Sequence, residues 1–172
     1  LGFTGNSVNA ALITLTNADF NSGSTGWADV NGSGNNDNYV QIIDPFTNNT
    51  MNMKSGGGNY VQQAFSSSNE GAVDSSTYGE YTLNFDWGFR RNSEAAGDID
   101  LRIALWNTTD STELAFALHT IPDPGAGTNF LTAGSVDLSY DPAGHAGDPI
   151  ALRITNTKDL GSTDSWMATA ML

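Results

Sequence analysis

The sequence predicts an all-β fold, an antiparallel sandwich of two sheets. Three observations predict it. Apolar and polar residues alternate in short runs, the runs are parted by Gly-, Asn-, Ser- and Pro-rich turn chemistry, and no stretch carries the apolar stripe of a helix.

In chain order the alternating runs are ALITL at 11–15, YVQII at 39–43, NYVQQAF at 59–65 and EYTLNFDWGF at 80–89. They continue with DIDLRIALW at 98–106, ELAFALH at 113–119, SVDLSY at 135–140, IALRIT at 150–155 and SWMATAML at 165–172. A period of two sends successive side chains to opposite faces, so each run reads as a half-buried strand, about nine in all. Between them lie NSGSTG, NGSGNNDN, SGGGN, SSSNEG, IPDPGAGTN and DPAGHAGDP, which are turns rather than linkers. The whole chain, 1–172, is expected to form one domain, with 1–11 as an extended N-terminal arm.

Composition narrows the function. Six basic residues against nineteen acidic ones give a net charge of −13, which argues against nucleic acid and against anionic membrane surfaces. No apolar run approaches the roughly 20 residues that span a bilayer. Cysteine is absent, so disulfides, thiolate catalysis and Cys-ligated zinc are excluded. The acidic, lysine-poor, Asn/Ser/Thr/Gly-rich character suggests an extracellular or cell-surface location.

Catalytic patterns are missing as well. The chain has two histidines, His119 and His145, and no HExxH, GxSxG or phosphate-binding Gly-rich loop. Acid pairs such as Asp98 and Asp100 arise by chance among nineteen carboxylates, so the expectation is a non-enzyme.

The order ITLTNADFNSGSTGW, NYVQQAF, GEYTLNFDWGFR, DIDLRIALWN, PIALRITNT and SWMATAML resembles the galactose-binding-like jelly rolls that serve as carbohydrate-binding modules of secreted bacterial proteins. Asn17, Asp19, Phe20, Gly26 and Trp27 carry the opening motif. The resemblance implies a jelly roll and sugar binding. It also implies structural calcium near Asn17 and Asp19, together with a closing acidic pair; the chain stops at Leu172 without that pair.

Alternation then sorts the candidate binding residues. Tyr81, Leu83, Phe85, Trp87 and Phe89 are expected inward, with Asn84, Asp86 and Arg90 outward. In the next run Ile99, Leu101, Ile103 and Leu105 go inward while Asp100, Arg102 and Trp106 go outward. Ile150, Leu152 and Ile154 are expected inward and Arg153 outward. Carboxylate, amide and guanidinium groups beside an indole suit a polysaccharide, and the arginines would suit an anionic one. A blander reading makes Asp86 with Arg102, and Asp100 with Arg90 or Arg153, cross-strand ion pairs on a solvated face. Trp27 and Trp166 are expected to pack under loops.

A second constellation is DVNGSGNNDN. Asp29, Asn31, Ser33 and Asp37 have the spacing of oxygen donors in a calcium loop, with Gly34 for the sharp turn and Val40 where a bidentate Glu is expected. The competing reading of the stretch is a polar hairpin. The rival to sugar binding is a structural role. An uncovered edge at SWMATAML, met by the N-terminal segment of the next subunit, would join copies into a homopolymer by strand addition.

Overall fold

Alternation fixes which side of a strand can be buried, and the structure shows how those buried sides meet. The structure, a computed structural model, describes residues 15–30, 39–42, 49–54, 60–65, 80–90, 98–122, 129–141, 148–157 and 164–168. Among them ten strands form: β1 Ala28–Val30, β2 Tyr39–Ile42, β3 Asn49–Lys54, β4 Tyr60–Ala64, β5 Glu80–Arg90, β6 Ile99–Asn107, β7 Thr112–Ile121, β8 Asn129–Ser139, β9 Ile150–Asn156 and β10 Asp164–Ala168. They pair antiparallel in two five-stranded sheets, β1-β4-β9-β6-β7 and β2-β3-β10-β5-β8. The two-sheet all-β expectation holds.

The core lies between the sheets. Val61, Leu101, Ile103, Leu105, Leu152 and Ile154 meet Leu83, Phe85, Trp87 and Met51, all buried in one cluster. The expected phases of β5, β6 and β9 are therefore those observed. Burying side chains of this size contributes about 1.5–3 kcal/mol each, which is what fixes the register against a one-residue slip.

Before β1 the chain makes a tight turn; of the run expected as a strand at 11–15, all but Leu15 lies outside the described residues. Asn17 and Phe20 adopt positive φ (50° and 54°), and Phe20 is fully buried with its ring 5.5 Å from that of Trp27. Buried Gln63 on β4 holds this turn down. Its side-chain amide donates to the carbonyls of Thr16 and Gly26 at 2.8 and 3.2 Å and accepts from the Thr16 N–H at 2.7 Å. Trp27 is buried as expected, and its indole N–H reaches the Asn17 carbonyl at 3.3 Å.

Two expectations change. The last run does not leave an open edge, because β10 lies inside its sheet with β3 on one side and β5 on the other. Strand addition at β10 thus loses its physical basis. The strands β1 and β3 were not anticipated: β1 is three residues long, and the NTMNMK of β3 alternates Met with Asn rather than with a recognisably apolar set. The proposed arm, 1–11, lies outside the described residues.

Candidate ligand-binding face

The outer face of the first sheet is built from the residues that alternate with its core positions. Tyr60 and Gln62 on β4, Arg153 on β9, Arg102 and Trp106 on β6, and Phe116 on β7 share it, as the ladders show: Gln62 pairs Arg153, Arg153 pairs Ala104, and Ala104 pairs Phe116. Ala104 and Ala151 are buried although they point outward. Their cross-strand neighbours, Arg153 and Phe116 for one and Trp106 for the other, are large enough to cover them.

The cations on this face are held by rings. The Arg153 guanidinium lies 3.5 Å from the centre of the Trp106 ring and 4.0 Å from that of Tyr60, while its Nε donates to Gln62 Oε1 at 2.9 Å. Arg102 lies 3.5 Å over the Phe116 ring and forms a two-pronged pair with Glu113, Nε to Oε2 at 2.9 Å and Nη2 to Oε1 at 2.5 Å. The hydrogen bond to Glu113 raises the Arg102 pKa against partial burial. Burial lowers that of Arg153, opposed by Tyr60 and Glu113. A guanidinium stays charged through shifts of this kind, so both remain donors with few rotamers left to lose. Phe116 and Leu118 beside them are 50% and 55% exposed, which makes this face an apolar patch with fixed polar groups.

Asp100 shares the face but accepts from Thr120 Oγ1 at 2.7 Å. The cross-strand partners weighed from the sequence are therefore replaced: Glu113 serves Arg102, Gln62 serves Arg153, and Thr120 serves Asp100. Glu113, Tyr60, Gln62 and Phe116 were not anticipated as site residues.

The expected ligand set is split between two faces. Asp100, Arg102, Trp106 and Arg153 stand together on the first sheet, whereas Asn84, Asp86 and Arg90 belong to β5 in the second. Alternation sorts sides of a strand but not sheets, and the chain changes sheet between β5 and β6. Around Asn84 and Asp86 the ladder offers Ser135 and Ala133, and Thr82 donates to Asp137 at 2.7 Å, a solvated polar surface. Arg90 is described in its backbone only, paired with Asn129 and Asp164.

The residues put forward for calcium separate too. Asn17 uses its side chain within its own turn, donating to the carbonyls of Gly23 and Thr25 at 2.8 and 3.0 Å and accepting from the Ser22 N–H at 2.9 Å. Asp19 accepts from the backbone and side chain of Asn21 at 3.2 and 2.5 Å. This pair organises a turn. Asp29 lies in β1 with its backbone paired to Val61, and Asn31, Ser33 and Asp37 lie outside the described residues. Among the described residues no three His, Cys, Asp or Glu side chains gather as metal ligands.

Between the sheets His119 packs edge-on against Phe85 and Trp87, with ring centres 5.1 and 4.9 Å away. Its Nε2 is buried without a hydrogen-bond partner among the described residues, and desolvation lowers its pKa.

Fold and face together define a jelly-roll β-sandwich whose first sheet carries aromatic rings and guanidiniums on its outer face. No family model and no curated protein matches the chain. Among solved structures it is similar to a cyclase from Fischerella sp. TAU in complex with 4-(1H-indol-3-yl)butan-2-one, with TM-score 0.61 and 16% identity over 92% of this chain and 94% of that one. It is also similar to a non-crystalline cellulose specific carbohydrate-binding module, CBM28, with TM-score 0.56 and 10% identity over 93% of each chain. A CBM4 structure matches with TM-score 0.51 and 9% identity over 90% of this chain and 96% of that one. At these identities the likeness is one of fold, shared by binding modules and cyclases alike.

Proposed function

We propose that this protein is a non-catalytic, extracellular polysaccharide-binding domain whose site is the outer face of the first sheet. The observation that carries the reading is Arg153 fixed between Tyr60 and Trp106, beside Arg102 fixed between Phe116 and Glu113. Sugars offer apolar C–H faces and rings of hydroxyls, and this face offers aromatic and aliphatic surface with donors held in place. The fold likeness to carbohydrate-binding modules supports the reading. Affinity electrophoresis in a panel of soluble polysaccharides tests it: the protein is retarded by at least one, and Tyr60→Ala weakens that retardation. A protein that runs unretarded in every polysaccharide contradicts it.

A calcium ion held through Asp29, Asn31, Ser33 and Asp37 belongs to the same proposal and rests on their spacing as oxygen donors. A melting midpoint that rises in millimolar calcium relative to chelator supports it, and an unchanged midpoint removes it.

The second reading is a cyclase, favoured by His119, a titratable side chain held between aromatic rings with Nε2 unpartnered. The indole ketone bound by the Fischerella cyclase serves as probe. A thermal shift abolished by His119→Gln favours this reading, and no shift favours the first.

A further inference from the structure

We infer that Glu113 sets the specificity of this face by cancelling its positive charge, so that the ligand is an uncharged polysaccharide and polyanions are refused. The inference rests on the polysaccharide reading above and concerns the class of polymer. Its ground is a local charge balance. Among the described residues of the outer face, the guanidiniums of Arg102 and Arg153 are matched by the carboxylates of Glu113 and Asp100. Glu113 engages Arg102 through both oxygens, so one of the two guanidinium edges that take a carboxylate or sulfate in two-pronged fashion, Nε with Nη2, is already occupied and its charge is matched. Arg153 is presented differently: its Nε donates to an uncharged amide and both ring contacts are to aromatics. Glu113 acts on this second cation as well, as a favourable charge within reach.

The position of Glu113 is a product of the fold. The β6–β7 ladder shifts register between Leu105 and Trp106, so that Leu105 pairs Ala115 but Trp106 pairs Glu113 and Leu114 is passed over. Strict alternation would put Glu113 in phase with Ala115 and Ala117, which pack against the core. The bulge turns it outward, next to Trp106 and onto Arg102, a way in which bulges commonly re-aim one side chain. With a net charge of −13 on the whole chain, a face without surplus positive charge has no term that would draw a polyanion to it.

The test is affinity electrophoresis of the full chain and of Glu113→Gln in hydroxyethyl cellulose, galactomannan, polygalacturonate and a sulfated galactan, at about 20 and about 500 mM salt, which spans strong and weak screening. The wild type is expected to be retarded by an uncharged polymer alike at both salts and to ignore the polyanions. Glu113→Gln is expected to gain a several-fold increase in polyanion retardation at low salt that disappears at high salt. Circular dichroism of the variant separates refolding from charge. Should the variant not fold, Glu113→Lys and the salt dependence of the wild type alone carry the test. Wild-type retardation by a polyanion that falls with salt overturns the inference while leaving the polysaccharide reading intact. A folded Glu113→Gln that gains no polyanion binding overturns it too, and retardation by no polymer at all overturns the site itself.

Discussion

Gln63 shows how much one buried polar side chain can organise. Alternation in NYVQQAF places it in phase with Val61, an inner position, so its sequence already marks an anomaly, but not what answers it. The answer is the backbone of Thr16 and Gly26. Replacing Gln63 by Leu leaves the Thr16 N–H without its acceptor, at an expected cost of about 1–3 kcal/mol by urea denaturation. A midpoint and slope equal to wild type would show that the turn is not held from β4. Gly134 makes a second point at this scale. A Cβ there would come within 2.7 Å of Trp87 Cδ1 and Nε1, so Gly134→Ala is expected to destabilise by about 1–3 kcal/mol while Trp87 fluorescence reports a shifted ring. Nothing in the flanking sequence announces this contact, because it depends on β8 pairing with β5, which sets Gly134 diagonally beside Trp87. Asn17 is the reverse case. Its place in the opening motif was legible, but not the turn in which its amide donates twice and accepts once.

At the scale of elements, β7 joins the interior to the candidate face. One phase of it, with Ala117 and His119, lies toward the core, and the other exposes Phe116 and Leu118. Hydrophobicity alone would bury the Leu and Phe phase. The bulge and the need to fit small residues and one imidazole against Phe85 and Trp87 decide otherwise, which is why Phe116 and Glu113 were not legible as outward-facing residues while Arg102, Trp106 and Arg153 were. A pH dependence follows from His119. Its folded pKa lies below the ordinary value, so the unfolded chain binds the proton more readily. Stability is therefore intact above the unfolded pKa of about 6.5, erodes as pH falls through it, and levels off below the lowered folded value. Denaturation midpoints between pH 7.5 and the acid limb should fall in wild type and be flatter in His119→Gln over that window. Parallel curves would mean that the imidazole is solvated in the folded state.

For the whole molecule, the sheet sandwich was legible because a period of two survives in nearly every strand. The partition of strands between sheets was not, because strands adjacent in sequence need not be adjacent in space. That single gap separates the expected ligand set: β5 and β6 are both expected from alternation to carry acid and arginine outward, yet they belong to different sheets of the sandwich. It also accounts for the edge expected at β10, which lies between β3 and β5. Among the described residues of this acidic chain, aromatic-stacked cations stand on the outer face of the first sheet, Arg153 with Tyr60 and Trp106, Arg102 with Phe116. The claim that this side binds a polysaccharide is tested most directly by comparing wild type with Trp106→Ala. Trp106 is partly exposed on the outer face, and removing it takes away one wall of the Arg153 clamp without emptying the core. Titration calorimetry with the polysaccharide that retards the wild type most should show a loss of affinity of about tenfold or more, equivalent to roughly 1.4 kcal/mol, with the unfolding midpoint unchanged within about 0.5 kcal/mol. Equal affinity in wild type and in a folded Trp106→Ala would contradict the assignment of this face.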